Sequence, residues 1–348
     1  MDLESEKNLI FDLSLSRISF LSLEDKKKLK NNIDSADSLA LLSIEDIEKI
    51  TEKSFSNRIK WNGTENLRMA QRACHYCHQL GIQIVLYDDP AYPELLRQIP
   101  DPPYLLFCRG DISLFSKKSV SVVGTRKISQ NGKISAIDFG YSAALDNCCV
   151  ISGLANGVDG YSHQGAVNAY FDAAEKKISV ENLGKTIAVL PSGIDSIVPA
   201  GHKKLAETIL QTGGLIVSEY EPGFPVYKWN FVARDRLIAG LSPATVVIEA
   251  PAGSGALITA DFALENGRDV LFHEAAFGNH AVQISSIVKR DLEVKHAAGT
   301  VSKYKLENTP EKFLEAGAPV IKDYNDYVKC LAEMPGIRSS QPVQGELF

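Results

Sequence analysis

Hydrophobic and polar positions divide the chain into two textures. Residues 1–81 show short apolar spacings set among lysines and acidic residues, a helical texture. Ser22-Leu-Glu-Asp25 and Ser43-Ile-Glu-Asp46 resemble capping boxes, in which a hydroxyl and a carboxylate satisfy the orphan amides of a helix start. Gly81 is placed to end a helix running through Leu80, and Ile82 to Leu86 reads as a short strand. Pro90, Pro93, Pro100, Pro102 and Pro103 make residues 88–110 a turn-rich connector.

From residue 119 short β-branched runs alternate with helical stretches. The runs are Val120–Val123, Val150–Ser152, Thr186–Leu190, Leu215–Ser218, Thr245–Glu249 and Asp269–Phe272. Runs that are apolar on both faces belong to strands covered on both sides. Their alternation with helices predicts βαβ units and a mostly parallel sheet, with ligands taken at the carboxyl ends of its strands. The expected architecture is a small helical domain over 1–81, of sterile-alpha-motif or helix-hairpin-helix type, followed by a Rossmann-like α/β domain over 82–334. That domain has helices on both faces of its sheet. Residues 320–334 read as one last helix, 335–348 as a flexible tail, and 273–318 carry no clear pattern.

Composition adds exclusions. With 348 residues, 45% hydrophobic and 23% charged, the chain is that of an ordinary globular protein. No run approaches the roughly 20 apolar residues that span a bilayer. The acidic opening MDLESEKNLI lacks a signal-peptide pattern, so a cytoplasmic protein without a membrane partner is expected. The net charge of −6 rules out a uniformly basic coat, so nucleic-acid binding would need a local patch.

Four segments offer such a patch. The first, Val122 to Ser129, directly follows a core strand; Gly124 allows close approach, and no acidic residue lies between Asp111 and Asp138. Arg126 and Lys127 sit at the strand's carboxyl end, whereas Lys117 and Lys118 read as a solvated face. The second, Ser152 to Gly160 followed by His163, places Gly153 on a tight turn; Asp159 could equally be a helix cap, and His163 reads as a packed histidine. The third, Phe224 to Arg236, interleaves Phe224, Tyr227, Trp229 and Phe231 with Lys228, Arg234 and Arg236. Cations that follow phosphates beside rings that stack on bases are the means of holding single strands. At least two of these rings are expected in the core. The fourth, Glu249 to Ala260, could turn Ser254 and Gly255 toward a phosphate, or Ser254 could simply cap the helix.

Taken in order, these segments resemble the DNA-processing protein A (DprA/Smf) family. The matching pieces are Val123–Arg126, Ser152–His163, Ala188–Asp195, Phe231–Ser242 and Glu249–Ala260, within about residues 82–272. The resemblance implies a protein that binds and protects single-stranded DNA, helps load the RecA recombinase, dimerises through its Rossmann domain and is not an enzyme. No cofactor is implied. It also implies that Arg126, Lys228, Phe231 and Arg236 line the DNA groove; Arg234 is read either as a further phosphate contact or as a structural arginine. Single-strand-binding protein is a further expected partner. The chain departs from the pattern at Asp235, where Asn is usual, at Asn156, where Arg is common, and after Phe272, where a Pro-Gly turn is expected. The winged-helix domain of many members is not expected in the short tail.

Other motifs give rival readings. Pro251–Gly255 is a distant match to the loop of Rossmann nucleotide phosphoribohydrolases, but has Ala252 for a glycine and lacks their nearby catalytic Glu. Gly184-Lys-Thr186 precedes its strand, unlike a phosphate-binding P-loop. Cys74-His-Tyr-Cys-His78 matches the haem-attachment spacing, but four ligands drawn from five helical residues cannot surround one ion. Gln344-Gly-Glu-Leu-Phe348 resembles peptides that dock on the sliding clamp through Gln344, Leu347 and Phe348.

Overall fold

A computed structural model describes residues 3–333. Five helices come first: α1 (Leu3–Ser16), α2 (Leu23–Asn32), α3 (Ala36–Leu41), α4 (Ile44–Thr51) and α5 (Gly63–Gln79). Both anticipated capping boxes form, Ser22 with Asp25 and Ser43 with Asp46. Gly81 follows α5 at φ +62°, a left-handed turn open to glycine. Then come β1 (Gln83–Leu86), α6 (Glu94–Arg97) and β2 (Leu105–Gly110). The α/β succession is β3 (Ser119–Val123), α7 (Gln130–Leu145), β4 (Cys149–Ser152), α8 (Val158–Glu175), β5 (Thr186–Gly193), α9 (Lys203–Gln211), β6 (Leu215–Tyr220), α10 (Lys228–Gly240), β7 (Ala244–Val247), α11 (Gly255–Glu265) and β8 (Asp269–His273). The chain closes through α12 (Asn279–Ala297), α13 (Lys303–Glu307), α14 (Pro310–Glu315), β9 (Val320–Ile321) and α15 (Tyr324–Glu333).

The sheet has the order β1-β2-β6-β5-β4-β3-β7-β8-β9. β3 pairs in parallel with β4 and β7, β7 with β8, and β8 with β9, while β1–β2 and β2–β6 are antiparallel. The expected α/β class and mostly parallel sheet are therefore present. Two expectations need correction. The connector 88–110 contains β2, whose Leu105, Leu106, Phe107 and Cys108 are all buried between β1 and β6. The prolines flank that strand and leave its amides available to the ladder. Residues 320–334 are not one helix, because β9 extends the ladder beside β8 before α15 begins.

The chain divides into two compact units, residues 1–116 with 188–234 and residues 117–187 with 235–348. In the first, Tyr104 on the approach to β2 donates to Asp12 of α1 at 2.6 Å, and Lys30 of α2 reaches the same carboxylate at 2.5 Å. Burial and the neighbouring Asp12 push the Tyr104 hydroxyl well above its usual range, so it stays a donor. Arg17 also pairs with Glu221 just past β6. These ties explain why residues 82–116 group with the N-terminal helices, although the sequence reading begins the second domain at residue 82.

The second unit is built around Val120, Val122, Val150, Val246, Ile248 and Leu271 of the sheet, with Phe139 and Tyr327 packed against them. Ser121 Oγ donates to the Ile238 carbonyl at 2.6 Å, and Ser242 Oγ to Ser121 Oγ at 2.7 Å, so small hydroxyls in the strands fasten the end of α10. Residues 273–318, unread in the sequence, are largely helical. His273 caps a short 3-10 turn over Glu274–Phe277 by accepting from Ala275 N at 3.1 Å. No helix among the described residues is long and apolar enough to cross a membrane.

Phe107 is 2% exposed in the middle of β2. Phe107→Ala should cost about 3–5 kcal/mol in chemical denaturation, a cavity penalty, whereas a residue in a surface connector would cost almost nothing.

Candidate nucleic-acid interface

In the second unit the strand order reverses at β3. From there β4 lies on one side and β7 on the other. In doubly wound sheets the crevice forms at this point, outside the carboxyl ends of the strands. The loops that leave β3 and β7 are residues 124–129 and 248–254.

The loop after β3 is fixed from beneath. Thr125 N donates to the Glu249 carbonyl at 2.6 Å, and the Thr125 carbonyl accepts from Val158 N at 3.2 Å. Ser129 N donates to Glu249 Oε2 at 3.1 Å. Both anchors are enclosed: Thr125 is 8% and Glu249 3% exposed. Thr125 Oγ1 accepts from Lys127 N at 3.1 Å, which folds the loop tip back over its own anchor. With positions 125 and 129 held inward, Arg126 and Lys127 project outward and are exposed.

Three glycines make that arrangement possible. A Cβ on Gly124 would lie 2.3 Å from Val158 Cγ2, one on Gly132 2.1 Å from Glu249 Oε2, and one on Gly157 2.1 Å from the Thr125 carbonyl. Gly157 also has φ +82°. So the glycines serve the packing of loop on loop, and the close approach they permit is between protein atoms. Asp159 closes the second loop, accepting from Gly153 N at 3.1 Å and Ala155 N at 3.4 Å. Gly153 is therefore committed internally, not turned to a phosphate, and Asp159 caps loop amides instead of the helix. His163 is fully buried, with Nδ1 2.6 Å from Thr186 Oγ1, the packed histidine that was expected.

The fourth loop is similarly occupied. Ala252 N donates to Ser285 Oγ at 3.1 Å, Gly253 N to the Asn308 carbonyl at 2.7 Å, and Ser254 N to the Pro251 carbonyl at 3.1 Å. Ser254 Oγ accepts from Ala256 N at the start of α11. Capping thus describes Ser254, whose own amide, like those of Ala252 and Gly253, is taken within the protein, while Gly255 opens α11. Asp235 is buried, so its charge does not face an exposed groove; Arg236 is half-buried and Asn156 exposed.

The third segment lies mostly in the first unit and holds the largest surprise. None of its four rings is in the core. Tyr227 and Trp229 are 47% and 57% exposed, and Phe224 and Phe231 half-buried. The rings pack on one another: Tyr227 stacks on Trp229 at 5.7 Å and 7°, and Phe224 on Tyr220 at 4.7 Å and 20°. Lys228, between those two residues in sequence, is exposed at the first turn of α10. Arg234 behaves differently: it is 3% exposed and its Nη1 donates to the Val189 carbonyl of β5 at 2.8 Å. It is a structural arginine, not a phosphate contact, as i+6 from Lys228 on a helix turns it away from the exposed side. Sequence spacing alone undervalued Tyr227 and Trp229, which straddle the start of α10.

Gln344, Leu347 and Phe348 lie outside the described residues.

A family model for DNA recombination-mediator protein A matches residues 83–329. The chain belongs to this family. Protein Smf of Borreliella burgdorferi is 31% identical over 282 residues, which cover 81% of this chain and 84% of that protein. DNA processing protein DprA of Streptococcus pneumoniae is 38% identical over 182 residues, 52% of this chain and 59% of that protein. The X-ray structure of the pneumococcal DprA superposes with a TM-score of 0.63 at 28% identity, covering 93% of this chain and 96% of that one. A Helicobacter pylori DprA, described for its single-stranded DNA binding mode, shares the fold at a TM-score of 0.53 and 23% identity. The resemblance read from five sequence segments is thereby established as family membership.

Gly157→Ala should destabilise the protein by about 1–3 kcal/mol in thermal or urea melts, since it combines a left-handed backbone with a collision on the Thr125 carbonyl. The same change at Gly255, whose Cβ would meet nothing within 4 Å, should cost far less.

Proposed function

We propose that this chain binds single-stranded DNA as a DNA-processing protein and performs no turnover. The observation that carries the reading is the loop after β3, anchored on Glu249 so that Arg126 and Lys127 face outward at the switch point of the sheet. Fixed cations attract phosphates without a large ordering cost. The ring cluster around Lys228 supplies what a duplex cannot use: flat exposed surfaces for unpaired bases, worth about 1–3 kcal/mol per stacked base. Phe231 and Arg236, half-buried, contribute partial surfaces to the same function.

Family membership supports the finer steps, since a recombination mediator hands its strand onward. Delivery to a RecA-type recombinase, co-operation with single-strand-binding protein, a homodimer through the α/β domain and a cytoplasmic site of action all belong to the proposal. So does a clamp contact through the C-terminal residues. The rival hydrolase reading asks for a carboxylate at the reacting centre. Glu249 is the acid of that loop, and its Oε2 is engaged by Ser129 N beneath the surface, which favours binding over hydrolysis.

Titration of labelled single-stranded and duplex oligonucleotides at two salt concentrations tests the proposal. Affinity for single strands should exceed that for duplex and fall with salt at about −0.7 in log–log slope per phosphate neutralised. Arg126→Ala should lower affinity for all sequences alike and flatten that slope; unchanged binding and slope would remove the loop from the interface. Trp229→Ala should weaken single-strand binding by about tenfold and leave the salt slope intact, since a lost stack carries no charge. Release of free base from nucleoside monophosphates would revive the hydrolase reading.

A further inference from the structure

The sequence motif left without a use is Cys74-His-Tyr-Cys-His78. Within α5, residues four apart share a face, so Cys74 and His78 point the same way. The helix alone offers too few ligands, but α1 packs against it. Asn66 Nδ2 donates to the Ser14 carbonyl at 2.9 Å, and Arg17 Nε to Asn66 Oδ1 at 3.3 Å. The end of α1 thus meets the start of α5, an antiparallel pairing that brings the start of α1 beside residues 74–78. There Glu6 joins the pair: one ligand atom from each of Glu6, Cys74 and His78 lies within 4.8 Å of the others.

We propose that Glu6, Cys74 and His78 form a three-ligand site for a divalent transition-metal ion, with zinc the fitting occupant and water the fourth ligand. A thiolate, an imidazole and a carboxylate are the donor types zinc accepts, and three protein ligands with an open position is a known zinc arrangement. Bond lengths of about 2.0–2.3 Å in a tetrahedron set donor separations near 3.5 Å. The observed limit of 4.8 Å therefore closes by about 1 Å, within reach of side-chain rotation because Glu6 and His78 are exposed. As the metal–sulfur bond forms, the Cys74 thiol proton passes to solvent. The site would staple the first helix of the chain to α5. Cys77 is not part of this grouping of ligand atoms.

The test uses the full chain with zinc or cobalt(II) as probes. Calorimetric titration should give one zinc per chain, and cobalt should produce a near-ultraviolet thiolate charge-transfer band that Cys74→Ser abolishes and Cys77→Ser retains. Zinc should raise the melting temperature by mass action. Glu6→Ala and His78→Ala remove exposed side chains, so the metal-free melting temperature should hold while zinc affinity falls about tenfold or more in each. These two variants decide the matter even if Cys74→Ser proves unstable. Absence of saturable one-to-one binding, or affinity unaffected by both Glu6→Ala and His78→Ala, would overturn the proposal.

Discussion

The buried Glu249 couples the parts of the α/β site. Its backbone carbonyl takes the amide of Thr125 and its side chain takes the amide of Ser129, so one residue at the end of β7 fixes both ends of the loop that leaves β3. A buried carboxylate with such a partner is costly to disturb, because removing it strands an amide away from water. The small residues around it follow from the same constraint. Gly124, Gly132 and Gly157 leave room for strand, helix and loop backbones to meet around that anchor. The backbone that carries Arg126 and Lys127 is thereby anchored on both sides. An acidic chain can in this way present a local positive edge.

A second surface follows other physics. The rings of residues 220–229 lie outside the core and shelter one another by stacking. Two electrostatic anchors and a set of flat apolar faces are what a flexible polyanion with exposed bases requires. The N-terminal unit adds its own ties, with Asp12 receiving both Tyr104 and Lys30.

Much of this was legible in the sequence. The β-branched runs marked the core strands of the α/β region to within three residues, and the two capping boxes form as written. Family membership was visible in five ordered segments. What escaped has physical causes. β2 was hidden by prolines that flank it without interrupting its ladder. β9 is only two residues long. The rings were expected inside because bulky apolar residues usually are, and only tertiary packing reveals that Tyr227 and Trp229 shield each other instead. Arg234 was open to either a phosphate-contacting or a structural role, because composition does not show which way a helix turns its side chains. Ser254 was open to either capping or a phosphate, and Gly153 looked available to a ligand because sequence does not show that the Asp159 carboxylate turns back onto its amide. Glu6 was overlooked beside Cys74 for the same reason.

The direct test of the account is single-stranded DNA affinity in Glu249→Ala, with folding verified by circular dichroism. No residue expected to touch DNA is altered in this variant. If the buried anchor is what presents Arg126 and Lys127, affinity should fall by about tenfold and the salt dependence should become shallower. A folded Glu249→Ala protein that binds as the parent does, with the same salt dependence, would contradict the account.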